Sequence, residues 1–253
     1  MPPGRADRLR LATDYPYAAP RWDMLFRDGR VTPLAQAAEA VDYAGRVPVL
    51  AHGSNRAPAQ LARKFHDFPG ALGTIPVTYI WLHDHDVVYS AHLTRYGAVA
   101  STLWPAPGTV VRVAVTWLDP AQLTRMHATE GNYGFGRLDG VPVTPAARHP
   151  HAPAADDLAP GPAMYLSENG ALSPAGTPWA LAAVPAWNRR LPGRTQGQVQ
   201  EALRRRIAPT RGFESFILDA VEDSSCRRWR NRYLVALQSH ACLPAFRPVF
   251  SEV

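Results

Sequence analysis

Residues 47–65 read VPVLAHGSNRAPAQLARKF. Val47 to His52 is a short apolar run of the length expected for a buried strand. Gly53, Ser54 and Asn55 break it. Pro58 to Phe65 then reads as a short helix, with Pro at its first position and Leu61 and Phe65 four apart on one face. A glycine-led turn between a strand and a helix points successive backbone N–H groups at one spot, and the helix dipole adds to them. That arrangement suits an anion or a developing oxyanion. Gly-Ser-Asn is also ordinary turn chemistry, and spacing alone leaves both readings open.

Working outward, residues 1–20 carry prolines and small residues without periodicity and read as a tail or surface strap. Thr32-Pro33 reads as a helix start, with an alanine-rich helix over 33–44. On the other side lies a strand-rich block. Ile75–Leu82 and Val87–His92 are strand candidates joined by a polar His83-Asp84-His85-Asp86 turn. Val99–Trp104 and Val110–Leu118 flank Pro105-Ala106-Pro107-Gly108, which reads as a hairpin connection. Val111, Val113, Val115 and Trp117 alternate onto one face. Asp119, Pro120 and Gln122 stand in N-cap, N1 and capping-box positions, predicting a helix with Leu123 and Met126 inward that ends near Gly131. Residues 146–162 read as a loop, and 163–167 and 178–184 as short strands.

Beyond them the period changes. Thr195 and Gln198 cap a predicted helix carrying Val199, Leu203 and Ile207. Residues 213–222 and 225–240 read as two more helices, the last with Trp229, Tyr233 and Leu237 on one face. The expected organisation is a tail and short helix over 1–45, a core over 46–186 and a helical extension packed on it over 187–253.

The chain has 253 residues, 46% hydrophobic and 19% charged, which excludes wholesale disorder and allows one large domain or two small ones. No stretch approaches the ~18 apolar residues of a spanning helix, so no membrane partner is expected. The start of the chain has no apolar signal-peptide core. A cytoplasmic protein with reduced cysteines is therefore expected. Cys226 and Cys242 are too few for a disulfide framework or a four-cysteine zinc site. The net charge is +6, carried almost wholly by arginine; Lys64 is the only lysine. The arginines are dispersed and lack interleaved aromatics. We therefore read the charge as a compositional bias rather than a nucleic-acid footprint, and Arg227, Arg228, Arg230 and Arg232 as a solvated helix face.

Three constellations bear on chemistry. The Gly53–Asn55 turn is the first. The second is Glu130, in Ala128-Thr129-Glu130-Gly131-Asn132-Tyr133, a carboxylate placed where the helix macrodipole disfavours it and a candidate base. The third is His83, Asp84, His85 and Asp86, with His92 beyond; His-x-His invites a metal, while a polar turn explains the same residues. Gly-x-Ser-x-Gly and Walker-type loops are absent. Gly131 to Gly136 reads as a flexible loop without the helix a nucleotide site needs.

In order and spacing these pieces resemble the γ-glutamylcyclotransferase-like family. The likeness runs through VPVLAHGSNRAPAQLARKF, then Tyr96-Gly97-Ala98-Val99-Ala100-Ser101-Thr102-Leu103, then VRVAVTWLDPAQLTRMHATEGNYGFGR, over about residues 46–145 and less clearly to 186. It implies an α+β fold with a small mixed β-barrel-like core, flanking helices and a pocket between the Gly-Ser-Asn loop and the glutamate. It places Glu130 as acid/base and His52, Gly53, Ser54, Asn55, Arg56 and Tyr133 around the substrate, with neither metal nor cofactor. Members of the family commonly carry Tyr where this chain has His52.

The implied chemistry is self-consistent. The α-amine of a γ-glutamyl amide attacks its own γ-carbonyl, closing a five-membered lactam; proximity supplies up to ~7–11 kcal/mol in such cases. The expected partner is thus a small γ-glutamyl amine or peptide, released as 5-oxoproline and a free amine. Arg56 and Arg95 are candidate anchors for its α-carboxylate. The alternatives are a non-catalytic binding or scaffold module, an amide hydrolase or acyltransferase using Glu130 with water, a metal hydrolase on His83, His85 and His92, and a nucleic-acid binder. Residues 190–253 would cover the pocket, support it or make a homodimer contact.

Overall fold

Alternation along residues 75–118 builds the centre of the molecule. In a computed structural model, which describes residues 4–37, 41–68, 72–147, 149–241, 243 and 245–249, the principal strands are β1 (Met24–Arg27), β2 (Arg30–Pro33), β3 (Val47–Ala51), β4 (Ile75–Leu93), β5 (Val99–Leu118), β6 (Tyr133–Leu138), β7 (Val143–Pro145) and β8 (Ala163–Ser167). The α-helices are α1 (Arg5–Thr13), α2 (Pro58–Phe65), α3 (Pro120–His127), α4 (Gln196–Ile207), α5 (Phe213–Glu222) and α6 (Ser224–Val235). The fold is α+β. None of the described helices is long and apolar enough to cross a membrane.

The two turns expected at 83–86 and 105–108 are not hairpin loops. They lie opposite each other inside one antiparallel ribbon, β4 with β5, whose register shifts between His83 and His85. His83 pairs with Val110 and His85 with Pro105, so Ala106 to Thr109 bulge out against the single residue Asp84. The ribbon bends there, as bulges make strands do. Asp86, fully buried, pins the bend through a bidentate pair with Arg189, both N···O distances being 2.8 Å. Both strands are interrupted at the same place, and pairing resumes beyond it.

β3 pairs with β5 and runs parallel to β8, which continues through β6 to residues 246–248. The outer edge of β4 is taken by β1, β7 and the short segments 171–172 and 180–181. No edge is left there for β6, and the sheet ends at 193–194 on one side and 246–248 on the other. It is an open sheet, which corrects the expectation of a barrel-like core.

The pleat sends alternate side chains to two cores. Val111, Val113, Val115 and Trp117 enter one cluster together with Val199, Leu203, Phe216, Ile217 and Leu234 of α4–α6. Ala114 and Leu118 enter the other, with Leu61, Phe65 and Met126 of α2 and α3. The capping boxes at Asp119 and Thr195 form, the side chain of each accepting from the backbone N–H three residues on. Met126 is fully buried and Leu123 half-buried, and α3 ends at His127 rather than near Gly131.

Other expectations need correction. Residues 5–13 form a helix rather than a tail, held on α5 by Arg5–Glu214 and Arg8–Glu222. Residues 30–33, expected to lead into a helix, form β2. Asp28 and Gly29, both at positive φ, turn β1 into it, as Asp-Gly does in tight hairpins. Leu34–Gln36 is a 3-10 turn, and the rest of the expected helix falls partly on 38–40, outside the described residues. On α6 the inward face is Arg230 and Leu234, while Trp229 is 48% exposed. Arg230 is buried over the Phe216 ring, at 3.9 Å from its centroid, and so is not part of a solvated face.

Candidate active site

Gly53 follows β3 and opens a 3-10 turn over Ser54–Arg56. A Cβ at this position would overlap the Tyr15 hydroxyl, with Ser101 Oγ only 2.6 Å away, so the loop is closed by the absence of a side chain. The N–H groups of Ser54 and Asn55 donate to none of the described residues and are free to receive an anionic oxygen. Pro58 then starts α2, whose buried face carries Gln60, Leu61, Lys64 and Phe65.

Glu130 arrives from the far side. After α3 the chain continues in tight turns, Thr129 N–H to Met126 C=O and Glu130 N–H to His127 C=O, before entering β6. β6 is tied to β8, and β8 to β3, which draws Glu130 across to the loop. Asn55 Nδ2 donates to Glu130 Oε1 at 2.8 Å. Lys64 Nζ donates to the same oxygen and, at 2.9 Å, to Thr129 Oγ1. Lys64 and Glu130 are 8% and 11% exposed, so this ion pair is sheltered from solvent. Burial pushes the Lys64 ammonium below its ordinary range, and the Glu130 carboxylate opposes that shift. Both bonds land on Oε1; among the described residues, none donates to Oε2.

The remaining walls are mostly aromatic. His52 Nε2 donates to the Tyr165 carbonyl oxygen at 3.1 Å, which fixes Nδ1 as the acceptor facing Ser101 Oγ at 3.2 Å. Ser101 in turn accepts from Tyr15 Oη at 2.7 Å. Burial pushes the His52 imidazole down, keeping it neutral. The Tyr133 hydroxyl donates to the Ser101 carbonyl at 3.0 Å, and burial holds that phenol well above its ordinary range. Tyr15, Tyr96, Tyr133 and Tyr165 line the same cavity as Glu130.

Together these residues line a cavity of about 920 Å³, which His52, Gly53, Ser54, Asn55, Glu130 and Tyr133 all reach. Arg56 is not among its lining residues. Its guanidinium turns away, 3.5 Å from the Ala183 carbonyl, so a role at the substrate's carboxylate does not fit it. Arg95, the other candidate anchor, does line the cavity.

The histidines singled out for a metal do not converge. His83 meets Thr144, His85 meets the His83 carbonyl and His92 meets Ser90. Among the described residues no group of three His, Cys, Asp or Glu side chains is placed to hold an ion. Cys226 is a free thiol on α6, and Cys242 lies outside the described residues.

Sequence reasoning missed Lys64, Tyr15 and Tyr165. Lys64 had a signal, being the one lysine of the chain and lying three residues after Leu61 on the buried face of α2. Tyr15 and Tyr165 had none, since nothing local tells that the residues after α1 pass under the loop or that β8 pairs beside β3.

Comparison with known proteins adds little. No family model matches the chain, and no curated protein matches it. Among solved structures, the crystal structure of YkqA from Bacillus subtilis is similar at 14% identity with a TM-score of 0.32, over 77% of this chain and 56% of that one. The chain thus spans little more than half the length of that structure.

Proposed function

We propose that the protein is a γ-glutamylcyclotransferase-like enzyme acting on a small γ-glutamyl amine or peptide. The observation that carries the reading is the Asn55–Glu130 hydrogen bond of 2.8 Å, which sets an acid beside free loop N–H groups on one cavity. The substrate enters bent, α-ammonium toward Glu130 and γ-carbonyl oxygen toward the N–H groups of Ser54 and Asn55. Glu130 Oε2 takes a proton from the α-ammonium, and the amine attacks the γ-carbonyl carbon. The loop N–H groups stabilise the oxyanion. The C–N bond to the leaving amine then breaks. Two protons leave the α-nitrogen and two arrive on the departing nitrogen; Glu130 carries them one at a time. Lys64 and Asn55 hold Oε1 so that Oε2 faces the reaction. While Glu130 is protonated the buried Lys64 charge lacks its partner, which drives the proton onward.

The same ion pair gives a second reading its support. A carboxylate already matched by a buried lysine also suits a pocket that binds a small ligand without turning it over. Screening γ-glutamyl amines for 5-oxoproline release decides between them. Glu130→Gln preserves the shape of the pocket. It is expected to reduce release by about 10²-fold or more in a protein that still folds, with a lowered melting temperature because the buried Lys64 loses its charge partner. Release unaffected by this variant, or absent with every γ-glutamyl amine tried, removes the enzyme reading.

A further inference from the structure

The cavity is at the large end of small-molecule sites, which run to ~1,000 Å³. Glu130 and the loop line it, and so do several cationic side chains. Lys64 and Arg125 line the cavity with carboxylate partners, Glu130 and Asp67. Arg63, Arg95 and Arg227 line it as well, and none of the three is ion-paired with a described carboxylate. Tyr96 lines the cavity with them. Arg63 stacks on Tyr17 at 4.5 Å and bonds Gln60, whose amide donates to Tyr96 Oη. Arg227 bonds the carbonyls of Ala220 and Val221, and the Val221 side chain packs on Gly97, next to Tyr96. Arg95 is exposed and bonded to none of the described residues.

We propose that the wall of this cavity formed by Arg63, Arg95 and Arg227 is a binding site for a dianionic group, either a phosphate monoester or a dicarboxylate. Three guanidinium charges without carboxylate partners on one cavity repel one another and attract anions, and the arginine fork fits phosphate and carboxylate oxygens. On the reading given above, and resting on it, this group belongs to the amine half of the substrate. The α-carboxylate of a γ-glutamyl group balances one of the three charges, and two remain for the leaving amine. Tyr96 lines the same cavity as Glu130 and the three arginines.

Two measurements separate the site from the reaction. The first is calorimetric binding of N-acetyl-O-phosphoethanolamine and N-acetylglutamate, dianions that cannot cyclise, with N-propylacetamide as the neutral comparator. Binding of at least one dianion is expected, weakening between about 0.02 M and 0.3 M salt and falling about tenfold in Arg95→Gln. Arg227→Gln acts likewise. Arg227→Lys keeps the charge and controls for loss of the carbonyl contacts. The second is 5-oxoproline release from the γ-glutamyl conjugates of phosphoethanolamine, glutamate and propylamine. An advantage of about tenfold or more in kcat/KM for an anionic conjugate over the propylamide is expected, shrinking in Arg95→Gln. Whichever dianion leads tells phosphate from dicarboxylate. Release without charge preference, together with no arginine-dependent binding of either dianion, overturns the site and leaves the reaction standing. Arginine-dependent dianion binding with no release from any conjugate keeps the site and overturns the reaction.

Discussion

At Gly53 a single absent methyl group decides whether the loop can lie against Tyr15 and Ser101. Gly53→Ala is expected to cost about 1–3 kcal/mol, because the tyrosine ring is buried and the serine is bonded on both sides. Equilibrium urea denaturation measures this, and an unchanged midpoint would show that the loop has slack the packing does not reveal. The loop and the acid were legible because each sits at a chemically marked break, a glycine turn and a helix end. Lys64 was hidden by its type. A lysine on a helix is read as solvated, and only tertiary packing reveals that Glu130 waits for it. Arg56 misled for the converse reason. It adjoins the loop in sequence, yet the 3-10 turn sends it away from the cavity.

At the scale of elements, the bent ribbon depends on one buried pair. Arg189→Met leaves Asp86, which is fully buried, without its partner, and is expected to lose about 3–5 kcal/mol of stability. The double variant Asp86→Leu/Arg189→Met removes both charges and should recover a good part of that loss in denaturant titrations. If the double variant is no better than the single one, the pair contributes through shape rather than charge. Capped helices were the best read elements, since Asp119 and Thr195 announce them locally. The β1–β2 hairpin carried an Asp-Gly signal that the neighbouring Thr-Pro and alanines overrode. α1 was invisible because its nine residues bury only Ala12, and its other contacts, Leu9 on the core, Gln200 on the Ala12 carbonyl and the ion pairs with α5, are all tertiary.

For the whole molecule, acid is a stress to which buried histidines make the fold sensitive. Burial lowers the His92 pKa to about 4, while an unfolded histidine titrates near 6.5. The unfolded chain therefore binds a proton that the native one refuses. Stability is full above pH 6.5 and is lost as pH falls toward 4, by about 3 kcal/mol from this group. His52, lowered likewise by burial, adds to the same slope. Urea midpoints at pH 7 and pH 4.5 should show the loss, with His92→Gln flattening it; identical slopes in the two proteins would assign the acid response elsewhere. The class of fold could be read from the sequence because alternating strand patterns and capped helices are each marked locally. Closure of the sheet could not, since it depends on which short segments reach the outer edge of β4 first.

The cavity draws its walls from Tyr15, the residues around Gly53, the tip of the ribbon at Arg95 and Tyr96, Glu130, Tyr165 and Arg227. On the ribosome the lining residues of α1 and Tyr15 emerge first and Arg227 last. The pocket is consequently a late product of synthesis. Through most of translation, Lys64 and the acid that will neutralise it are without the final helical wall that completes their enclosure.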